Sequence, residues 1–110
     1  MALFGGKKHQ AFLGMDLGGS NLYSVAFDFE LKPIFHSKID TEAREGYLHV
    51  IDRVALQIQE LKKRLEEEGY DLAGIGLGVP GLVQSEHGNV IVAPNLGWSQ
   101  CKPVRDMDLP

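Results

Sequence analysis

One stripe of apolar residues limits the folds open to this 110-residue chain. Tyr47, Ile51, Val54, Ile58, Leu61 and Leu65 recur at i, i+4, i+7, i+11, i+14 and i+18, which sets them along one side of a helix. Glu42 and Glu45 lie near its start, where the helix dipole favours them, and Gly69 after Glu66-Glu67-Glu68 is a natural stop. No second helix is read after it. A single helix of this kind must bury its apolar side on another layer, and the flanking segments read as strands.

Ala11 to Leu17 is short, apolar and bounded by Gly18-Gly19, the pattern of a buried strand. Asn21 to Phe29 alternates, with Tyr23, Val25, Phe27 and Phe29 opposing Leu22, Ser24, Ala26 and Asp28. Glu30 to Pro33 reads as a turn, since Pro33 cannot donate a ladder hydrogen bond. Ile34 to Ile39 then closes an antiparallel meander. Leu72 to Val79 reads as a strand apolar on both faces, as a buried parallel strand is. Gly88-Asn89 between Val83 and Val90 predicts a hairpin, and Ala93 to Trp98 reads as irregular. The order β-β-β-α-β, with a following hairpin, predicts an α/β mixed sheet with the helix on one face.

Charge and composition narrow the function classes. Eleven Lys and Arg against fifteen Asp and Glu leave a net charge of −4, unlike the basic surface of a nucleic-acid binder. A hydrophobic content of 44% supports a folded core. Cys101 is the single cysteine, so no internal disulfide forms and no multi-cysteine zinc site exists within the chain. His9, His36, His49 and His87 show no metal-ligand spacing, and His87 reads as a turn residue. No apolar run approaches the roughly 18 residues of a membrane span. The expectation is a cytoplasmic protein with a loose leader over residues 1–10 and one domain over 11–110, with no nucleic-acid or membrane partner.

Three stretches can carry chemistry. Asp16-Leu17-Gly18-Gly19-Ser20-Asn21 joins two strands, and a turn with two glycines lets the backbone approach a ligand and offer N–H groups to phosphate oxygens. Asp16 could hold a divalent cation through water, and Ser20 could donate to a phosphate. The same residues also suit an ordinary hairpin with a solvated aspartate. Gly76-Leu77-Gly78-Val79-Pro80-Gly81 ends a strand, where open α/β sheets bind ligands, or else serves close helix–sheet packing. Asn95, within Ala93-Pro94-Asn95-Leu96-Gly97-Trp98, offers one acceptor and two donors to sugar hydroxyls, or else forms a turn beside a core Trp98.

Taken in order, DLGGSN, GIGLGVPGLV and APNLGW resemble the ROK family of bacterial sugar kinases and sugar-responsive repressors, over roughly residues 11–110. The resemblance implies the ribonuclease-H-like fold of actin and hexokinase, here its N-terminal lobe. It implies ATP and Mg²⁺ as cofactors, with Asp16 near the metal and Gly18, Gly19, Ser20 and Asn21 at the phosphates. Gly81 and Asn95 would lie at the sugar, a hexose such as glucose. Ser20 stands where Thr is commoner, and Asn21 where members often have Lys.

The family's Glu-Asn-Asp-type motif with the catalytic base, its Glu-x-x-His sugar contact, its Cys-rich zinc motif and its second lobe would all follow Pro110. No catalytic residue is therefore assigned in this chain, and alone it is expected to be inactive. The leading expectation is the N-terminal lobe of a glucokinase-like hexose kinase. Two alternatives are a ROK repressor without its DNA-binding domain and a stand-alone, non-catalytic sugar- or nucleotide-binding domain. The ten residues before the first strand favour the kinase branch over the repressor. An apolar edge at 72–79 is expected to pair with a second copy.

Overall fold

The computed structural model describes residues 9–80, 82–84 and 89–107. A four-stranded sheet has the order β3-β2-β1-β4, from β1 (His9–Leu17), β2 (Asn21–Asp28), β3 (Pro33–Asp40) and β4 (Tyr70–Gly78). β1, β2 and β3 form the expected antiparallel meander. β4 returns parallel to β1, with Asp16 opposite Gly78. The crossover between them is α1 (Tyr47–Glu67). A second, antiparallel sheet contains β5 (Leu82–Gln84), β6 (Asn89–Ala93) and β7 (Trp98–Cys101).

Side-chain alternation decides which face of the sheet α1 covers. Ala11, Leu13, Met15 and Leu17 of β1, with Leu22 and Ala26 of β2, point to the helix and are buried. They meet Val50, Ile51, Val54, Ile58, Leu61 and Leu65, the predicted stripe with Val50 added, while its first member Tyr47 is only partly buried. Full burial of such side chains stabilises the fold by about 1.5–3 kcal/mol each. One cluster joins Met15, Leu17 and Leu22 to Ala93, Leu96 and Trp98, which fixes the residues around β6 and β7 against the end of β1. Polar residues on this face are Ser24 of β2, 1% exposed, and Gln57, whose side-chain amide donates to Ser37 Oγ at 2.7 Å.

Several boundaries differ from the sequence reading. β1 begins at His9, because the His9 N–H donates to the Gly69 carbonyl at 3.2 Å and His9 and Gln10 pair with Tyr70 and Asp71. Residues 1–8 of the expected leader lie outside the described residues. Pro33 opens β3 instead of ending a turn, and the first position of an edge strand tolerates a missing donor. Gly46, at φ 97°, caps α1, whose first turn contains no acidic residue; Glu42 lies earlier and pairs with His49. Gly69 follows the helix at φ 89°, as expected of a stop. Ala93–Trp98 is more ordered than expected. It holds a 3-10 turn at Pro94–Leu96, and Ala93 pairs with Trp98.

Two further readings are corrected. A second helix does follow: α2 (Pro103–Met107), five residues long, is tied to α1 by Tyr47, whose hydroxyl donates to Asp106 Oδ2 at 2.7 Å. β4 is not buried on both faces, and Ile75 is 41% exposed. α1 covers one face only, and on that face Ile75, opposite Leu13, stands at the open edge beside Ile58 and Lys62. The other face of β4 carries glycines at 74, 76 and 78, and among the described residues β4 pairs with β1 alone. The predicted hairpin exists as the antiparallel β5–β6 pair, while its turn, with His87 and Gly88, lies outside the described residues. No described helix is long and apolar enough to cross a membrane.

Candidate functional site

Because β1 and β4 run parallel, their carboxyl ends open at the same edge of the sheet, where Asp16 stands beside Gly78. Met15 and Leu17 point into the core, so the intervening Asp16 projects from the opposite face and is exposed. It rims an open depression of about 310 Å³, which also touches Gly14, Tyr23, Val25, Phe27 and Gly76. A Cβ on Gly78 would lie 3.9 Å from Asp16 Oδ1, an ordinary contact. The glycines of β4 turn away from α1, so close helix packing does not explain them.

The turn after β1 is held from one side. The Gly18 N–H donates to the Asn21 carbonyl at 2.9 Å. The Gly18 carbonyl accepts from the Thr41 hydroxyl at 2.7 Å, and the Ser20 carbonyl accepts from the Thr41 N–H at 2.8 Å. Thr41 is 2% exposed. The N–H groups of Gly19 and Ser20 have no hydrogen-bond partner among the described residues. A turn with tied carbonyls and two free N–H groups is a cradle for an anion.

Asn95 sits on this turn. A Cβ on Gly19 would come within 2.8 Å of the Asn95 carbonyl oxygen and 3.3 Å of the Asn95 Cβ, so Gly19 is required by close approach. The Asn95 side chain is exposed, while its neighbours Leu96 and Trp98 are buried. Trp98 meets the ring of Tyr47 edge-on at 4.9 Å between centroids. The structure therefore gathers Asp16, Gly18, Gly19, Ser20, Asn21 and Asn95 at one corner. Gly81 lies outside the described residues.

Thr41 escaped the sequence reading, and nothing local marks it, because its partners lie more than twenty positions earlier. A metal would have few protein ligands here. Among the described residues, no three His, Cys, Asp or Glu gather to hold an ion. A lone exposed carboxylate fits Mg²⁺, which keeps several waters. Cys101 is partly buried and its thiol donates to the Ser99 carbonyl at 3.4 Å.

The parallel β1–β4 pair, the helix crossing between them and the meander beside them define a ribonuclease-H-like α/β lobe of the actin and hexokinase type. Two solved structures share it at low sequence identity. One is a ROK family glucokinase from Streptomyces griseus in complex with glucose and AMPPNP, with a TM-score of 0.73 and 21% identity over 89% of this chain and 29% of that one. The other is a ROK family transcriptional regulator, a homologue of the Escherichia coli MLC protein, with a TM-score of 0.76 and 22% identity over 92% of this chain and 25% of that one.

The ROK family model matches residues 12–107, and the chain belongs to that family. Its relatives include both branches. It is 29% identical to a xylose repressor of Caldicellulosiruptor bescii over 88% of this chain and 24% of the repressor. It is 29% identical to an N-acetyl-D-glucosamine kinase of Citrobacter koseri over 86% of this chain and 29% of the kinase. It is 25% identical to a glucokinase of Halalkalibacterium halodurans over 86% of this chain and 28% of that enzyme. The chain thus spans between a quarter and a third of the length of these kinases, and slightly less of the repressor.

Proposed function

We propose that this chain is the N-terminal lobe of an ATP-dependent hexose kinase, glucokinase-like, that binds phosphates at the 18–21 turn and the sugar at Asn95 and Gly81. The observation that carries the reading is the turn itself: carbonyls tied to Thr41, N–H groups of Gly19 and Ser20 free, and Asn95 in contact. Phosphoryl transfer rests mainly on positioning and charge stabilisation, so the donor and acceptor determinants must share one frame. A turn that touches the acceptor-side loop provides that frame. When bound, MgATP supplies the phosphoryl group and Mg²⁺ offsets the charge of its oxygens. Asp16 would hold the metal's water shell, and the Ser20 hydroxyl would donate to phosphate. The catalytic base is assigned to no residue of this chain, and turnover by this lobe alone is not expected.

The repressor branch and a stand-alone binding module share the lobe and remain the second reading, favoured by the xylose repressor's identity. A nitrogen-15 NMR titration of the chain with MgATP and with glucose tests the assignment. The expected result is millimolar binding that moves the amides of Gly18, Gly19, Ser20 and Asn21 with MgATP, and that of Asn95 with glucose. Saturating MgATP that leaves the turn amides unmoved would refute the phosphate reading. Micromolar affinity for either ligand would favour the binding module.

We propose in addition that the free edge of β4 pairs with a second copy. Beside that edge lies an open groove of about 290 Å³, lined by Ile58, Lys62, Leu72 and Ile75 among others. An unpaired strand edge with apolar side chains next to it is a template for an identical strand.

A further inference from the structure

The anion cradle needs a device that fixes its peptide planes, and one lies outside the turn. In a trans peptide the C=O and the following N–H point in opposite directions. The Gly18 carbonyl and the Gly19 N–H belong to one such plane, since the described residues contain no cis bond. The Thr41 hydroxyl takes that carbonyl at 2.7 Å from the buried side. The Gly19 N–H is thereby turned the other way. The Thr41 N–H draws the Ser20 carbonyl to the same side, at 2.8 Å.

Thr41 is itself pinned on both flanks. The Arg53 Nε donates to the Asp40 carbonyl at 2.9 Å. On the other flank Glu42 takes a left-handed backbone, φ 59° and ψ 44°, which a residue with a Cβ adopts at a cost. Its carboxylate meets His49 Nε2 at 2.7 Å and Arg53 at 3.5 Å. Segment 40–42 is therefore a strap from the first turns of α1 to the turn after β1.

We propose that Thr41 is a positioning residue for anion binding, acting through the Gly18–Gly19 peptide to hold the Gly19 N–H toward the ligand. The inference rests on the phosphate reading of that turn. Its test uses T41V, T41S and R53Q in the intact chain, each checked for folding by circular dichroism. The readouts are MgATP affinity and, without ligand, amide hydrogen exchange at Gly18, whose N–H is bonded to the Asn21 carbonyl.

Removing the hydroxyl is expected to weaken MgATP binding about fivefold to tenfold and to speed Gly18 exchange by a similar factor. T41S keeps the hydroxyl and should restore both. R53Q loosens the strap from the surface and should shift both readouts the same way by about twofold, which keeps the test open if T41V does not fold. A folded T41V with wild-type exchange and affinity overturns the clamp, as does T41S losing as much as T41V. Faster Gly18 exchange in T41V, with no MgATP binding by the wild-type chain, would leave the clamp standing structurally but overturn the phosphate reading and Thr41's role in binding with it.

Discussion

Substituting Gly19 by alanine tests the contact on which the whole site depends. The added Cβ would stand 2.8 Å from the Asn95 carbonyl oxygen, closer than carbon and oxygen tolerate without bonding. The obstacle is backbone, so no rotamer change relieves it, and either the turn or the Asn95 loop must move. Forced overpacking of this kind costs about 1–3 kcal/mol. For a domain of this size, about 4 °C of melting temperature accompanies each kcal/mol, which gives a drop of roughly 4–12 °C. Gly76→Ala is the control: a Cβ there meets nothing within 4 Å, and its melting temperature should stay within about 2 °C of wild type. Trp98 is the only tryptophan, is 2% exposed, and closes the Asn95 turn through its pairing with Ala93. Displacement of that loop should shift its emission to the red in G19A and not in G76A. A G19A chain with unchanged melting and unchanged Trp98 emission would show that the turn and the loop are not in contact.

Two other outcomes follow from different parts of the molecule. Tyr47 titrates well above the ordinary 10.0, first because burial disfavours its anion, then because its hydroxyl bonds to Asp106, whose charge adds to the shift. A raised pKa makes this contribution complete below the ordinary tyrosine value and lost as pH climbs above it, so the α1–α2 contact should loosen only in strong alkali. Absorbance titration near 295 nm should show one of the three tyrosines lagging, and Tyr47→Phe should remove that component; three tyrosines titrating together would contradict it. Sedimentation addresses the β4 edge: the chain should associate as concentration rises, and Ile75→Lys should hold it monomeric. A wild-type monomer at high concentration would sink the edge-pairing proposal.

The elements whose signal is local were legible in the sequence. The α1 stripe was readable because every apolar residue in it serves one face, and Ile51 through Leu65 are buried as their spacing implies. β1 and β2 were readable because Gly18-Gly19 punctuates two apolar segments. Their alternation also separates Asp16 from Met15 and Leu17. α2 was not readable, because five residues hold no periodicity and its anchors are long-range: the bond from Tyr47, 59 positions away, and the packing of Pro103 and Met107. The exposure of β4 was hidden by its composition: LAGIGLGV is apolar whether its outer face is covered or bare. The candidate site was legible as three separate motifs. That Gly19 touches Asn95, and that Thr41 fastens the turn, are long-range facts that no spacing encodes.

The Gly19–Asn95 contact also has a meaning in time. β1 and β2 are joined by the three residues 18–20, whereas 52 residues, 18–69, separate the end of β1 from the start of β4. Closing the longer loop costs on the order of 2–3 kcal/mol more entropy, so the short hairpin forms readily and the far contacts come after it. Asn95 reaches Gly19 across a longer stretch still. Strain placed at that contact therefore enters late on the folding route. In stopped-flow experiments G19A should fold at nearly the wild-type rate and unfold faster, the partition expected where a contact is absent from the transition state. The corner that joins the two halves of the site is the last to close and the first to let go.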